Sequence, residues 1–283
     1  MLFLILSVIF NSLLLIVFKK ITGTQNDLRR VILFNYLIGG TAGILLAYSL
    51  WHKLKFEEIE ELLLKAISLG LFLYLGFLTT GWSVASNGLL ITSTFLMSSF
   101  IIPAIYSWTI SGESIALWKV AGVLLVLTGI NLTAIKRDTP QRISSNLALL
   151  LVFLINGVIQ VLFMEFTKVM NEYSFSLFTG LTFMFAAVTG SITITWRGII
   201  LYRFSEMKWG IFLGIANYLS ILFLIKALST IPHRSIVFGF LYGGILLLTS
   251  IISPTLFKEK LHYTTIAGLI FTFAGICIFY ISG

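Results

Sequence analysis

Charge, cysteine, proline and histidine are all scarce in these 283 residues, and Asp, Glu, Lys and Arg together make up only 11% of them. A soluble domain carries charge on roughly a quarter of its residues, so this composition excludes one. A single cysteine, Cys277, excludes an internal disulfide. Four prolines against 25 phenylalanines exclude a disordered or collagen-like chain. The three histidines, His52, His233 and His262, lie in polar connections, with no HExxH pair, nucleotide-binding glycine loop or metal-ligand spacing around them. ATP hydrolysis, zinc chemistry and a cofactor therefore have no residues to run on, and an enzyme is not expected. With 58% hydrophobic residues and a mean hydropathy of +1.02, the chain needs a dry environment, and the bilayer supplies it.

What is present is a set of long uncharged runs. Ten stretches contain no Asp, Glu, Lys or Arg: Leu2–Phe18, Val31–Leu50, Ala66–Ala85, Leu89–Ile110, Val120–Ile135, Leu147–Phe163, Phe175–Trp196, Trp209–Ile225, Ser235–Phe257 and Thr264–Ser282. Each is near the ~20 residues that cross ~30 Å of hydrocarbon. All 19 Lys and Arg and all 11 Asp and Glu fall between them. The pattern predicts an all-α membrane protein with ten transmembrane helices. A β-barrel would show alternating segments of about ten residues instead. Leu2–Phe18 lacks a basic leader and a small-residue cleavage site, so it reads as a first helix and not a signal peptide. The +8 formal charge is dealt out between helices, which suits topology and not nucleic acid; membrane lipids are the expected surroundings.

Connections such as Ser86–Gly88 and Lys258–Tyr263 are short and make their helices antiparallel neighbours. Trp51–Lys65 is longer and amphipathic, an interfacial run-in to the third helix. The most polar stretch, residues 136–145 (KRDTPQRISS), divides the chain into 1–135 and 146–283. Residues recur across that divide. Glu113, Ala121, Gly122, Gly129 and Ile130 return 146 positions later as Glu259, Ala267, Gly268, Gly275 and Ile276. Asn11 returns as Asn156, and Gly70, Tyr74 and Leu75 return as Gly214, Tyr218 and Leu219. Two copies of a five-helix unit are implied. An odd number of crossings ends opposite its start, so the second copy must be inverted, the plan of many secondary transporters.

The duplicated ten-helix plan, Gly112–Glu113 and its counterpart Lys258–Glu259, and the glycine pairs Gly122/Gly129 and Gly268/Gly275 resemble the EamA-like branch of the drug/metabolite transporter superfamily. Pro103, ten residues before Glu113, fits that pattern; Pro254, only five before Glu259, departs from it. The resemblance implies a central cavity lined by helices 1, 3, 4, 6, 8 and 9, with helices 5 and 10 at the periphery. Its members move metabolites, drugs, nucleotide-linked sugars or lipid-linked groups.

Polar groups at bilayer depth are costly unless satisfied, so they rank the candidate substrate-binding residues. Asn11 and Asn156 sit at the centres of their runs, with Gln160 one turn beyond Asn156 on the same face. The competing role is interhelical hydrogen bonding, worth roughly 0.6 kcal/mol on average. Tyr74 and Tyr218, with Asn217 beside the latter and Trp82 two turns after Tyr74, could form an aromatic wall; packing is the alternative. Thr94 and Ser98 share one face of the fourth helix, and Tyr242 lies between Gly239 and Gly243 of the ninth. Small residues of this kind serve close helix approach as well as polar paths. Glu165 and Lys226, just outside their runs, could meet as a gate or simply snorkel to the headgroups. With no carboxylate inside any run, proton antiport through a buried acid is disfavoured.

The expectation is a secondary transporter of a small organic molecule, working by alternating access in the cell membrane. A flippase for a lipid-linked sugar or phosphate and a non-transporting scaffold are the alternatives. Either a monomer or a homodimer fits, the latter through lipid-facing glycines of helices 5 and 10. Of the 19 Lys and Arg, 12 follow the odd-numbered helices, which by the positive-inside rule places both termini outside. The family resemblance implies cytoplasmic termini, and that orientation is adopted.

Overall fold

The computed structural model describes residues 1–48, 56–110, 116–134, 145–167, 172–195, 203–230, 234–259 and 261–281. Glu113 and the expected linker, apart from Ser145, lie outside them. Every regular element described is an α-helix: α1 (Leu2–Thr22), α2 (Leu28–Tyr48), α3 (Phe56–Asn87), α4 (Leu89–Ser98), α5 (Ile101–Thr109), α6 (Leu117–Ala134), α7 (Asn146–Thr167), α8 (Glu172–Thr195), α9 (Phe204–Thr230), α10 (Arg234–Phe257) and α11 (Tyr263–Ile281). Eight helical stretches are long and apolar enough to cross a membrane, and Leu117–Leu132 and Tyr263–Phe279 are shorter apolar helices. Helices suit hydrocarbon because they satisfy every backbone polar group internally. The all-α expectation holds, and the long apolar helices are compatible with a multi-pass membrane protein.

Two boundaries differ from the sequence reading. The described part of the amphipathic run-in, from Phe56 on, and the third uncharged stretch form one continuous helix, α3; residues 51–55 lie outside the described residues. The fourth stretch is broken at Ser99–Phe100 into α4 and α5. Pro103 is the cause: it has no N–H for the Ser99 carbonyl four residues back, and its ring crowds that carbonyl. Ser99 O is instead reached by the Ile102 N–H at 3.0 Å.

Packing comes in matched pairs. α2 lies on α8 and α6 on α11; α2 meets α9 as α3 meets α8; α1 meets α9 as α3 meets α7. α10 packs on α1, α4 and α11, while α7 packs on α4 and α5. Glycines set the close approaches. A Cβ on Gly43 would stand 2.6 Å from the Gly180 Cα where α2 crosses α8. The repeat mates Gly70 and Gly214 face equivalent surfaces, Gly70 the Thr182 carbonyl of α8 and Gly214 the Asn35 carbonyl of α2.

The glycine pairs of α6 and α11 face each other antiparallel: a Cβ on Gly122 would come within 2.8 Å of the Gly275 carbonyl, and one on Gly129 within 2.6 Å of the Gly268 carbonyl. These glycines therefore face each other inside the chain, whereas the sequence suggested that they face lipid.

The α1–α2 loop is pinned to the start of α9 by Glu206, which is 1% exposed. Its carboxylate accepts from the Asp27 N–H at 3.0 Å, the Arg203 N–H at 3.0 Å and Arg30 Nη1 at 2.9 Å. A buried charge is tolerable when partnered this fully. It fixes α9 against the helix pair that begins the chain.

Candidate functional site

The break in the fourth span creates the centre of the site. Ser99, at the corner between α4 and α5, donates its hydroxyl to the Leu96 carbonyl at 2.6 Å and accepts from Gln160 Nε2 of α7 at 2.5 Å. The Gln160 Oε1 accepts from the Tyr242 hydroxyl of α10 at 2.6 Å. The Tyr242 ring stacks at 6.4 Å on Phe100, the second residue of the corner. One amide thus ties together α4/α5, α7 and α10, with its donor and its acceptor both engaged. Gln160 and Tyr242 lie within about one turn of their helix centres, and Ser99 lies near the middle of the broken fourth stretch. The cluster carries no formal charge.

Asn156 lies one turn before Gln160 on α7 and its repeat mate Asn11 lies on α1, and both are half-buried. They behave alike: Asn11 Nδ2 donates to the Ser7 carbonyl at 3.0 Å and Asn156 Nδ2 to the Val152 carbonyl at 2.8 Å, each four residues back. Because those acceptors are carbonyls, the amide nitrogen must face them. Each amide oxygen is left to accept from another group; the Asn156 nitrogen keeps a second hydrogen, whereas the Asn11 nitrogen also reaches the Ser7 hydroxyl at 3.4 Å. Aromatic rings stand beside Asn11, where Phe223 of α9 stacks on Phe10 at 5.7 Å and on Phe3 at 6.2 Å. Amides that both donate and accept, next to ring faces, suit an organic solute with polar edges and an apolar body.

The remaining candidates are placed elsewhere. Tyr74 is fully buried, its hydroxyl against Thr193 Oγ1 of α8, and Tyr218 meets Ser176 Oγ of α8 at 3.1 Å. Asn217 donates to Asn35 Oδ1 of α2 at 3.2 Å. These three hold α3 and α9 to the α2–α8 pair. Thr94 and Ser98 are also fully buried, and each hydroxyl goes to its own helix, Leu90 O at 3.0 Å and Thr94 O at 2.7 Å. Trp82 is 43% exposed and continues the outward stripe of Leu71 and Leu75, so it does not share a face with Tyr74.

The two residues of the expected gate stand on different helices: Glu165 is on α7, which packs on α3, α4 and α5, while Lys226 is on α9, which packs mainly on α1 and α2, and its Nζ lies over the Phe3 ring at 5.5 Å.

A different carboxylate forms an ion pair between the halves. Glu259, just past α10, pairs with Lys19 Nζ of α1 at 2.7 Å. It accepts the Leu89 and Leu90 N–H groups at the start of α4, at 2.9 and 3.3 Å, and the Ser253 hydroxyl of α10. Lys258, at φ 53, takes the left-handed conformation that turns Glu259 back onto α4. Gly88, at φ 89, leaves room for it: a Cβ there would lie 2.9 Å from Glu259 Oε1. Burial works to raise the Glu259 carboxyl pKa, but Lys19, Ser253 and the Leu89 N–H together hold it below the usual carboxylate value. The Lys-Glu dipeptide marked this position in the sequence, but nothing there pointed to Lys19 as its partner.

No protein-family model matches the chain. An uncharacterized protein of Haemophilus influenzae is 26% identical over 274 residues, covering 94% of this chain and 93% of that protein. A crystal structure described only as that of a protein superposes with a TM-score of 0.61 at 14% identity, covering 98% of both chains. At that identity the likeness concerns the fold alone.

Proposed function

We propose that this chain is a secondary transporter of a small, uncharged or weakly charged organic solute, of the EamA-like kind, working by alternating access of two inverted five-helix units, 1–135 and 146–283. The observation that carries the reading is the uncharged Ser99–Gln160–Tyr242 cluster, where helices from both halves meet near mid-depth. The matched helix pairs support the two-unit plan, since α2–α9 and α3–α8 exchange when the halves exchange. Asn11 and Asn156, α1 and α7 equivalents with the same hydrogen bond, are the symmetric part of the site. The solute is held by amides, a phenol and rings, and the protein works as a monomer or as a homodimer through surfaces other than the α6–α11 glycines.

Reconstituted into liposomes and offered a panel of amino acids, nucleosides, sugars and amphipathic drugs, the protein is expected to pass at least one member saturably. Asn11→Ala with Asn156→Ala should lower that flux about tenfold while barely moving thermal stability, because each amide's bond within its own helix is worth only about 0.6 kcal/mol. A double variant that lowers stability and leaves flux per folded molecule unchanged would favour the scaffold reading.

The membrane is proposed to be the cell membrane, with both termini in the cytoplasm. Two of the basic residues that argue otherwise, Lys19 and Arg30, are held by Glu259 and Glu206. A reporter fused after Gly283 should be active only as a cytoplasmic fusion; periplasmic or extracellular activity would reverse the orientation.

A further inference from the structure

Residues leading from the polar cluster toward the Lys19 end of α1 are more deeply buried than those leading to the end of α7. From Asn11, α1 carries Leu15 and then Lys19 at four-residue steps, one face running to the Glu259 contact. Leu15 is 3% exposed, and Leu89 and Leu90 beside that contact are buried as well. Around Gln160 and onward to the end of α7, every residue from Val158 to Phe166 is half-buried, none fully. The repeat adds an asymmetry: the shift that relates Asn11 to Asn156 puts Met164 where the first unit has Lys19. The inverted copy of this contact therefore lacks its cation.

We propose that Lys19 and Glu259 are the gate, an ion-pair latch that holds the path shut at the Lys19 end and must part for solute to pass; this rests on the transporter reading. Glu259 joins α1 through Lys19, α4 through its first two N–H groups, and α10 through Ser253. It thus ties α1 and α4 of the first half to α10 of the second through one carboxylate. Parting them breaks several charge-assisted hydrogen bonds together, which makes the closure two-state and not gradual. With Met164 in the equivalent place, the repeat does not reproduce this cation at the other end.

The test reads accessibility from both ends. In a Cys277→Ser background, Leu15→Cys reports the Lys19 end and Met164→Cys the other, each labelled by a membrane-impermeant maleimide added from its own side. With the latch intact, position 15 should label slowly and position 164 readily. Glu259→Gln should speed labelling at 15 about tenfold, the loss expected for bonds to a charged group, and slow it at 164. Lys19→Gln, which leaves the cap on α4 in place, should act in the same direction and less. Unchanged labelling at 15 in both variants overturns the gate, and so does faster labelling at both positions, which marks general loosening. Opposite changes at the two ends with no solute flux would leave the gate standing and remove the transport reading instead.

Discussion

Gln160→Leu is expected to cut solute flux about a hundredfold, and Tyr242→Phe about tenfold, with the folded protein still recovered from the membrane. Gln160 loses two hydrogen bonds at once, to Ser99 and from Tyr242, and with them the geometry of three helices around the site. Tyr242→Phe keeps the ring on Phe100 and removes only the hydroxyl, leaving the Gln160 oxygen short of a donor. An unsatisfied buried polar group costs roughly 1–3 kcal/mol, which corresponds to the tenfold loss at the lower end. Ser98→Ala and Trp82→Leu are the contrasts. One hydroxyl serves its own helix and the other side chain faces outward, so flux should stay within about twofold of the parent. Initial uptake rates per folded molecule check all four. Equal losses in the two groups would mean that the cluster has no special place in transport.

The second large effect is on stability. Gly129→Ala puts a methyl 2.2 Å from the Thr272 hydroxyl, 2.6 Å from the Gly268 carbonyl and 2.7 Å from the Thr272 nitrogen. Two of those atoms are backbone, so no side chain can turn aside and α6 must move away from α11. Overpacking of this kind costs about 1–3 kcal/mol and more where helices must separate. Because α6 also rests on α4, the displacement reaches the corner that holds Ser99. Gly23→Ala is the control, its nearest contact being an ordinary 3.5 Å to the Lys20 carbonyl. Thermal denaturation in detergent should separate the two clearly. A Gly129→Ala protein as stable as its parent would contradict the close α6–α11 contact.

The helices were legible because charge is expensive in hydrocarbon, so their limits are written wherever Lys, Arg, Asp and Glu are withheld. The pairing of helices was partly legible through repeated glycines, since close backbone approach admits no side chain. The site was legible only by residue. Gln160 and Tyr242 stand out as polar groups at depth, yet their contact joins α7 to α10 and has no signature in spacing. Ser99 enters through Pro103, four residues on, which marks a family pattern in the sequence and breaks the helix in the structure. Tyr74, Tyr218 and Asn217 look identical to site residues in sequence, because a polar group that bonds a neighbouring helix and one that bonds a solute meet the same desolvation cost. The Lys19–Glu259 pair was illegible for a similar reason: ion-pair partners are chosen by which helices pack, and α1, α4 and α10 bring Lys19 to Glu259.

The most direct test of the account is uptake by proteoliposomes containing the purified chain, measured across the solute panel with Gln160→Leu and Trp82→Leu alongside. The account predicts saturable uptake of at least one small organic solute by the parent and by Trp82→Leu, and its near loss in Gln160→Leu. A folded parent that takes up no member of the panel, or uptake that Gln160→Leu leaves intact, would contradict it.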